Sequence, residues 1–261
     1  MIHVVAGAFG FLGALAAHDL ATQTLRDLPL RPLAGTCPRC GHQRGWLKRT
    51  CPSCSRRVNR EPVLALVGIV VAVGFVQTIG TTWSLIPYLG FLVLTLALGV
   101  TDIDAFRIVD RLNLRGTLIL AVGLGAAAVL DGSIPDFGRG ALGALAYFGG
   151  GNLMFLLAGG KGFGYGDVKL SVQLGLFTAY LSWGSLGWAV LITALLGGLV
   201  SIVVLSVGLV VKTRARRRAS RDENVSIRDV MKTELPYGPA MIVGAWAAIA
   251  LVGLGAIPIP T

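Results

Sequence analysis

Apolar runs of about twenty residues, parted by short polar stretches, recur along the whole chain. They lie near residues 2–20, 62–80, 84–101, 114–130, 139–158, 168–186, 188–211 and 238–257. Each approaches the roughly 20 mostly apolar residues that a helix needs to cross a bilayer. The sixth and seventh runs are nearly continuous, broken only by polar and Gly-containing residues around Ser182 to Gly187. The first opens MIHVV without a basic region, which argues against a cleaved signal peptide, and it ends on His18 and Asp19, which make it a weak span. The pattern predicts an all-α polytopic integral membrane protein of about eight transmembrane helices. It divides into a first span over 1–20, a polar loop over 21–61 and a membrane domain over 62–261.

Composition supports this. With 54% hydrophobic and 14% charged residues and a mean hydropathy of +0.73, the chain is not a soluble domain with one packed core. Eight spans also sort the basic residues. Of the 23 lysines and arginines, all but Arg139 fall in the loops 21–61, 102–115, 159–169 and 212–237, which share one side of the membrane. The positive-inside rule makes that side cytoplasmic and puts both termini outside the cytoplasm. The net charge of +10 then follows from positive-inside loops against anionic lipid headgroups. The run ARRRASR over 215–221 has no interleaved aromatics and no known module around it, so nucleic acid is not expected as a partner.

Four cysteines form CPRC over 37–40 and CPSC over 51–54, two C-x2-C knuckles ten residues apart. Thiolates from Cys37, Cys40, Cys51 and Cys54 at that spacing can close a tetrahedron around Zn²⁺, which would let a loop with almost no apolar core fold. The competing readings are two disulfides, disfavoured in a reducing cytoplasm, and a dithiol redox pair. His42, beside the first knuckle, is an alternative ligand but reads first as a surface residue.

Carboxylates at membrane depth are costly and need a reason. Asp131 and Asp136 sit in DGSIPD, whose turn chemistry explains them. Asp102 follows LALGVT at the cytoplasmic end of the third span, and Asp167 opens the sixth after GFGYG. Read singly, Asp102 ends a span and Asp167 caps a helix. Read together, at matched depth on one face, they are candidates for sharing a proton and a water, one as base and one as acid in amide hydrolysis. Gly164 and Gly166, lacking Cβ atoms, let the backbone approach a second helix or an extended substrate. Such backbone at that depth must face protein or a water-filled cavity, and a hydrolase needs one. Lys169 lies two positions after Asp167, so on a regular helix it points away from it.

At these residues the sequence resembles the prepilin peptidases, membrane aspartic proteases of the GxGD type. Gly164, Tyr165, Gly166, Asp167, Val168 and Lys169 match the GxGD element and its following lysine. Asp102, Asp104, Ile108 and Asp110 match a D-x-D-x-x-x-[IL]-P-D stretch, with Val109 in place of proline. LPYGPAM over 235–241 is similar to the P-F-G-P segment before the last span, with Tyr237 for phenylalanine, and the double C-x2-C loop also matches, at shorter spacing. The resemblance covers about residues 35–255. It implies a plasma-membrane aspartic endopeptidase in which Asp102 and Asp167 activate water and protonate the leaving amine. The substrates it implies are type IV prepilins or pseudopilins, cut at the cytoplasmic face to remove a basic leader. A basic enzyme face would repel that leader, so Asp104 and Asp110 are candidates for contacting it.

Many members of that family also methylate the new N-terminus with S-adenosylmethionine. Here residues 10–20, GFLGALAAHDL, fit the associated stretch poorly, with Gly13 where asparagine is expected and Asp19 interrupting the basic pattern. That second activity stays open. Two other classes remain: a small transporter or channel using the two aspartates for protons or cations, and a non-catalytic membrane scaffold built on the cysteine loop.

Overall fold

The computed structural model describes residues 2–43, 50–55, 61–157, 159, 164–218 and 237–256. Among them are eight helices and no strand: α1 (Ile2–Leu25), α2 (Glu61–Ile79), α3 (Leu85–Ala105), α4 (Asp110–Leu130), α5 (Ile134–Leu157), α6 (Tyr165–Leu181), α7 (Trp183–Arg218) and α8 (Gly238–Gly253). Thr36 and Gln43 form an isolated antiparallel bridge in the cysteine loop. The all-helical class and the number of elements agree with the apolar pattern. Helices α1 to α5 and α7 are long and apolar enough to cross a membrane, and α8 is apolar but shorter. The chain is a multi-pass membrane protein.

Several boundaries differ from the sequence reading: α3 ends at Ala105 rather than 101, α5 begins at Ile134 rather than 139 and α6 ends at Leu181 rather than 186. Helix α1 runs on to Leu25 rather than stopping at residue 20, its last turns held to the loop that follows by the buried side chains of Asp19 and Gln23. Helix α4 begins at Asp110, four residues before the apolar run. Helix α7 continues past residue 211 to Arg218. In the last two cases hydropathy falls while helix propensity does not, since Lys and Arg are good helix formers. The break between the sixth and seventh runs falls at Ser182, which is fully extended (φ −168°, ψ 160°).

Helix α6 is the axis of the bundle. Thirteen of its 17 residues are buried, Ser171, Gln173 and Thr178 included, so it faces protein rather than lipid. Small residues let α5 approach it closely. A Cβ on Gly140 would lie 2.8 Å from the Leu176 carbonyl oxygen, and one on Gly175 would lie 2.5 Å from that of Gly143. Helix α3 packs on the other side through aromatics. Phe91 stacks on Phe177 with ring centroids 4.4 Å apart, and the Tyr88 hydroxyl donates to the Phe177 carbonyl at 2.6 Å. Helix α8 is tied to α3 by Trp246 Nε1 donating to Thr95 Oγ1 at 3.2 Å, and to α2 by Thr78 Oγ1 donating to the Ile249 carbonyl at 3.1 Å.

At the end of the bundle opposite Asp102 and Asp167, Arg139 donates to the last carbonyls of α6, from Nε to Ala179 at 2.7 Å and from Nη2 to Tyr180 and to Leu181, the last at 2.9 Å. Its Nη1 pairs with Asp136 at 2.9 Å. The one basic residue that breaks the charge partition thus caps the C-terminus of the central helix, where a cation is favoured. Asp131 caps α3 from the same end, accepting the Trp83 and Ser84 N–H groups at 2.9 Å each.

Candidate active site and metal centre

Helix α3 delivers Asp102 in its last turn, with the residue 6% exposed. Phe106 ends the helix in the left-handed region (φ 50°), and its N–H returns to the Asp102 carbonyl at 2.8 Å. A non-glycine residue adopts this conformation at a cost, so the turn is held by its surroundings. Val109 precedes α4 at φ −82° and ψ 116°, and its carbonyl accepts the Leu112 and Asn113 N–H groups at 3.1 and 3.0 Å. That φ lies near the proline range, so valine keeps the turn that proline would impose.

Helix α6 delivers Asp167 in its first turn, 7% exposed. Its Oδ2 accepts the N–H of Gly164, the N-cap residue, at 3.2 Å, so Asp167 does cap its own helix. It is also within electrostatic range of Asp102, and Tyr147 and Tyr237 lie within range of Asp167. Helix α8 completes the cluster, with the Gly238 N–H donating to Asp102 Oδ2 at 3.1 Å.

Ile108, buried on the α3–α4 turn, packs between two glycines. Its Cβ is 3.1 Å from where a Cβ of Gly166 would stand, and its Cδ1 is 3.4 Å from that of Gly238. A side chain at either glycine would push Ile108 or the carboxylates apart. Gly164 differs: it is exposed at φ −75°, and a Cβ there would meet nothing closer than Asp167 Oδ2 at 3.4 Å. Close approach of Ile108 therefore accounts for Gly166, whereas a Cβ on Gly164 would find room within the protein.

The other acids lie outside this cluster. Asp104 is exposed in the last turn of α3. Asp110, also exposed, receives Lys169 Nζ on Oδ2 at 2.6 Å, and Lys169 lies 5.3 Å from the Tyr165 ring centroid. Lys169 points away from Asp167, as its spacing requires.

The cysteine loop docks on the end of α1. Asp19 accepts the N–H groups of Gly35 and Thr36 at 2.8 and 2.9 Å. Gln23 donates to the Arg31 carbonyl at 2.8 Å and to Thr36 Oγ1 at 2.9 Å, and accepts the Arg31 N–H at 2.6 Å. Cys37 follows directly, and the Gly41 N–H returns to its carbonyl at 2.9 Å while Ser55 does the same to Cys51 at 2.8 Å, two matching knuckle turns. The four ligand atoms lie within 4.8 Å of one another, with Cys37 to Cys54 at 3.6 Å and Cys40 to Cys51 at 3.5 Å between sulfurs. A tetrahedral ZnS₄ site with bonds of about 2.3 Å has sulfur edges of about 3.8 Å, so the four thiols lie close enough to hold a metal of that size. Burial raises the Cys37 thiol, but the backbone N–H groups of Cys40 and Arg39 and the neighbouring Cys40 and Cys54 thiols outweigh it and hold it at about 6. Cys51 is lowered as well, burial being outweighed by the backbone of Cys54 and Ser53.

Two site residues carried no assignment in the sequence. Gly238 lay within LPYGPAM, but only the fold shows that its N–H meets Asp102. Asp19 entered as a blemish on a weak span; its position at membrane depth was itself the signal that a partner existed.

Comparison with known proteins adds a second line. No family model matches the chain, and no solved structure matches it. Curated relatives do. A protein of Aeromonas salmonicida is 28% identical over 233 residues, covering 82% of this chain and 69% of its own. One of Burkholderia pseudomallei is 29% identical over 234 residues, covering 82% and 65%, and one of Pseudomonas aeruginosa is 28% identical over 230 residues, covering 82% and 70%. All three bear the name prepilin leader peptidase/N-methyltransferase. The chain resembles the prepilin leader peptidases. The similarity extends over most of the chain, well beyond the GxGD element on which a motif match alone would rest.

Proposed function

We propose that the chain is an aspartic endopeptidase of the inner membrane that removes the basic leader of type IV prepilins or pseudopilins at the cytoplasmic face, with both chain termini on the opposite side. The observation that carries this reading is the convergence of Asp102, Asp167 and the Gly238 N–H at one end of the bundle, in a chain similar over 82% of its length to prepilin leader peptidases. Asp102 and Asp167 lie in the sequence segments 102–115 and 159–169, two of the four that carry the basic residues, which supports the cytoplasmic assignment.

In this reading the two carboxylates, which lie within electrostatic range of each other, share a single proton, the arrangement aspartic proteases use. In the proposed reaction the ionised partner takes a proton from water as its oxygen attacks the scissile carbonyl carbon. The protonated partner first supports the developing oxyanion and then gives its proton to the leaving nitrogen as the C–N bond breaks. Water is consumed, a carboxylic acid and an amine are formed, and the pair keeps its single proton, now on the other partner. Gly238 fixes the orientation of Asp102, and Gly164 that of Asp167.

Cys37, Cys40, Cys51 and Cys54 would hold a structural Zn²⁺, anchored to α1 by Asp19 and Gln23. Residues 10–20, the stretch that the resemblance ties to methylation, are taken up by packing, with Gly10 against Gly68, and by the hold of Asp19 on the loop. S-adenosylmethionine would be a co-substrate only if that second activity is present, and the proposed function rests on peptidase chemistry.

Incubating the purified chain in lipid with prepilins from the same genome, and analysing the products by mass spectrometry, tests the reading. Cleavage between the basic leader and the hydrophobic helix is expected, and one added methyl on the new N-terminus would establish the second activity. A folded sample that leaves every prepilin intact would return the chain to the transporter or scaffold classes.

A further inference from the structure

The pair formed by Asp110 and Lys169 lies outside the carboxylate cluster yet joins the two segments that carry it. Asp110 is the first residue of α4, two positions after Ile108, which packs between Gly166 and Gly238. Lys169 is in α6, two positions after Asp167 and on the opposite side of the helix from it. Their contact at 2.6 Å therefore closes a ring: Asp102, the Phe106 turn, Ile108, Asp110, Lys169 and Asp167. One turn deeper the same two helices meet again. Gln173 Nε2, four residues after Lys169, donates to Asn113 Oδ1, three residues after Asp110, at 3.2 Å, and both side chains are buried. The two contacts follow the helical spacing and set the register of α4 against α6.

We propose that Asp110 and Lys169 are positioning residues, a clasp that fixes the separation of Asp102 and Asp167 rather than a contact for the leader. The inference rests on the peptidase reading. With side chains 60% and 29% exposed, the pair adds little to global stability. Its effect is on geometry, where a misplacement near 1 Å costs about 100-fold in rate. An acidic side chain engaged by an ammonium group at this distance is also poorly placed to recruit a basic leader.

Charge reversal tests the clasp. Asp110→Lys, Lys169→Asp and the double swap are made in the full chain, reconstituted in lipid, and assayed on a prepilin for kcat and KM. Each single reversal is expected to lower kcat by about ten-fold or more at unchanged KM, and the swap to restore it to within about three-fold. If reversal fails to fold, Asp110→Asn and Lys169→Gln carry the same split of kcat from KM. A rise in KM at constant kcat overturns the proposal in favour of substrate contact, and a swap as impaired as the singles overturns it in favour of independent roles. If the wild type itself cuts no prepilin, it is the peptidase reading that falls, and the clasp with it. An active wild type with insensitive variants sinks the clasp alone.

Discussion

The N–H of Gly238 donates to the Asp102 carboxylate at 3.1 Å, across 136 positions of chain. One partner closes α3 and the other opens α8, so the last apolar helix reaches the candidate active site through its backbone rather than a side chain. A helix N-terminus presents free N–H groups and partial positive charge, and a carboxylate that does chemistry is well held there.

Gly238→Ala probes that contact. The new Cβ would stand 2.7 Å from Asp102 Oδ2 and 3.4 Å from Ile108 Cδ1. Gly238 lies at the helical start of α8, so alanine is compatible with the backbone and the chain should fold. Cleavage is expected to fall by at least about ten-fold, because the carboxylate must move. Full activity with an intact fold would show that Asp102 needs no fixed orientation.

Asp19 is expected to govern the cysteine loop and not the chemistry. Asp19→Ala strips the acceptors from two buried N–H groups, those of Gly35 and Thr36, at a cost of about 1–3 kcal/mol for each group left unsatisfied. Asp19→Asn keeps one acceptor oxygen and should be milder. Limited proteolysis within residues 26–60 and the bound-metal content of the purified protein report the effect. A loop as resistant in Asp19→Ala as in wild type would contradict the anchoring role.

Metal retention should depend on pH with a defined sign. Cys37 is held at about 6, below its ordinary value of 9.0, so its thiolate form is favoured by the fold. The stability linked to that thiolate is fully present above the unfolded value and is lost as pH falls through about 6. Zinc should therefore stay bound near neutral pH and be released as the medium is acidified below about 6, measured with a chromogenic chelator. Cys37→Ser should lower the zinc content at every pH. Release that begins well above neutral pH would contradict the thiolate assignment.

Much of the fold was legible because lipid imposes one rule, about twenty apolar residues per crossing, and six of the eight described helices obey it. Helix ends were less legible, since hydropathy reports where lipid ends and not where hydrogen bonding does; α7 and α4 both run into their basic flanks. Asp102 and Asp167 stood out because ionisable groups at depth are rare and have a cause. Their partners did not. The Gly238 N–H, the Ile108 side chain and the Lys169 to Asp110 pair are tertiary contacts between helices whose register no periodicity specifies. Arg139 stood out only as an exception to the charge partition, and its role in capping α6 emerged from three carbonyls that the sequence leaves unmarked.

The most direct measurement of the central claim is prepilin cleavage by the wild type beside Asp102→Asn and Asp167→Asn, each shown to be folded by its helical content and elution as a discrete species. The proposed chemistry requires both carboxylates, and removing one acid–base partner costs about 100-fold to 10,000-fold. Loss of cleavage in both variants, with the wild type cutting between leader and helix, is the predicted result. Cleavage that survives at wild-type rate in either variant would contradict it.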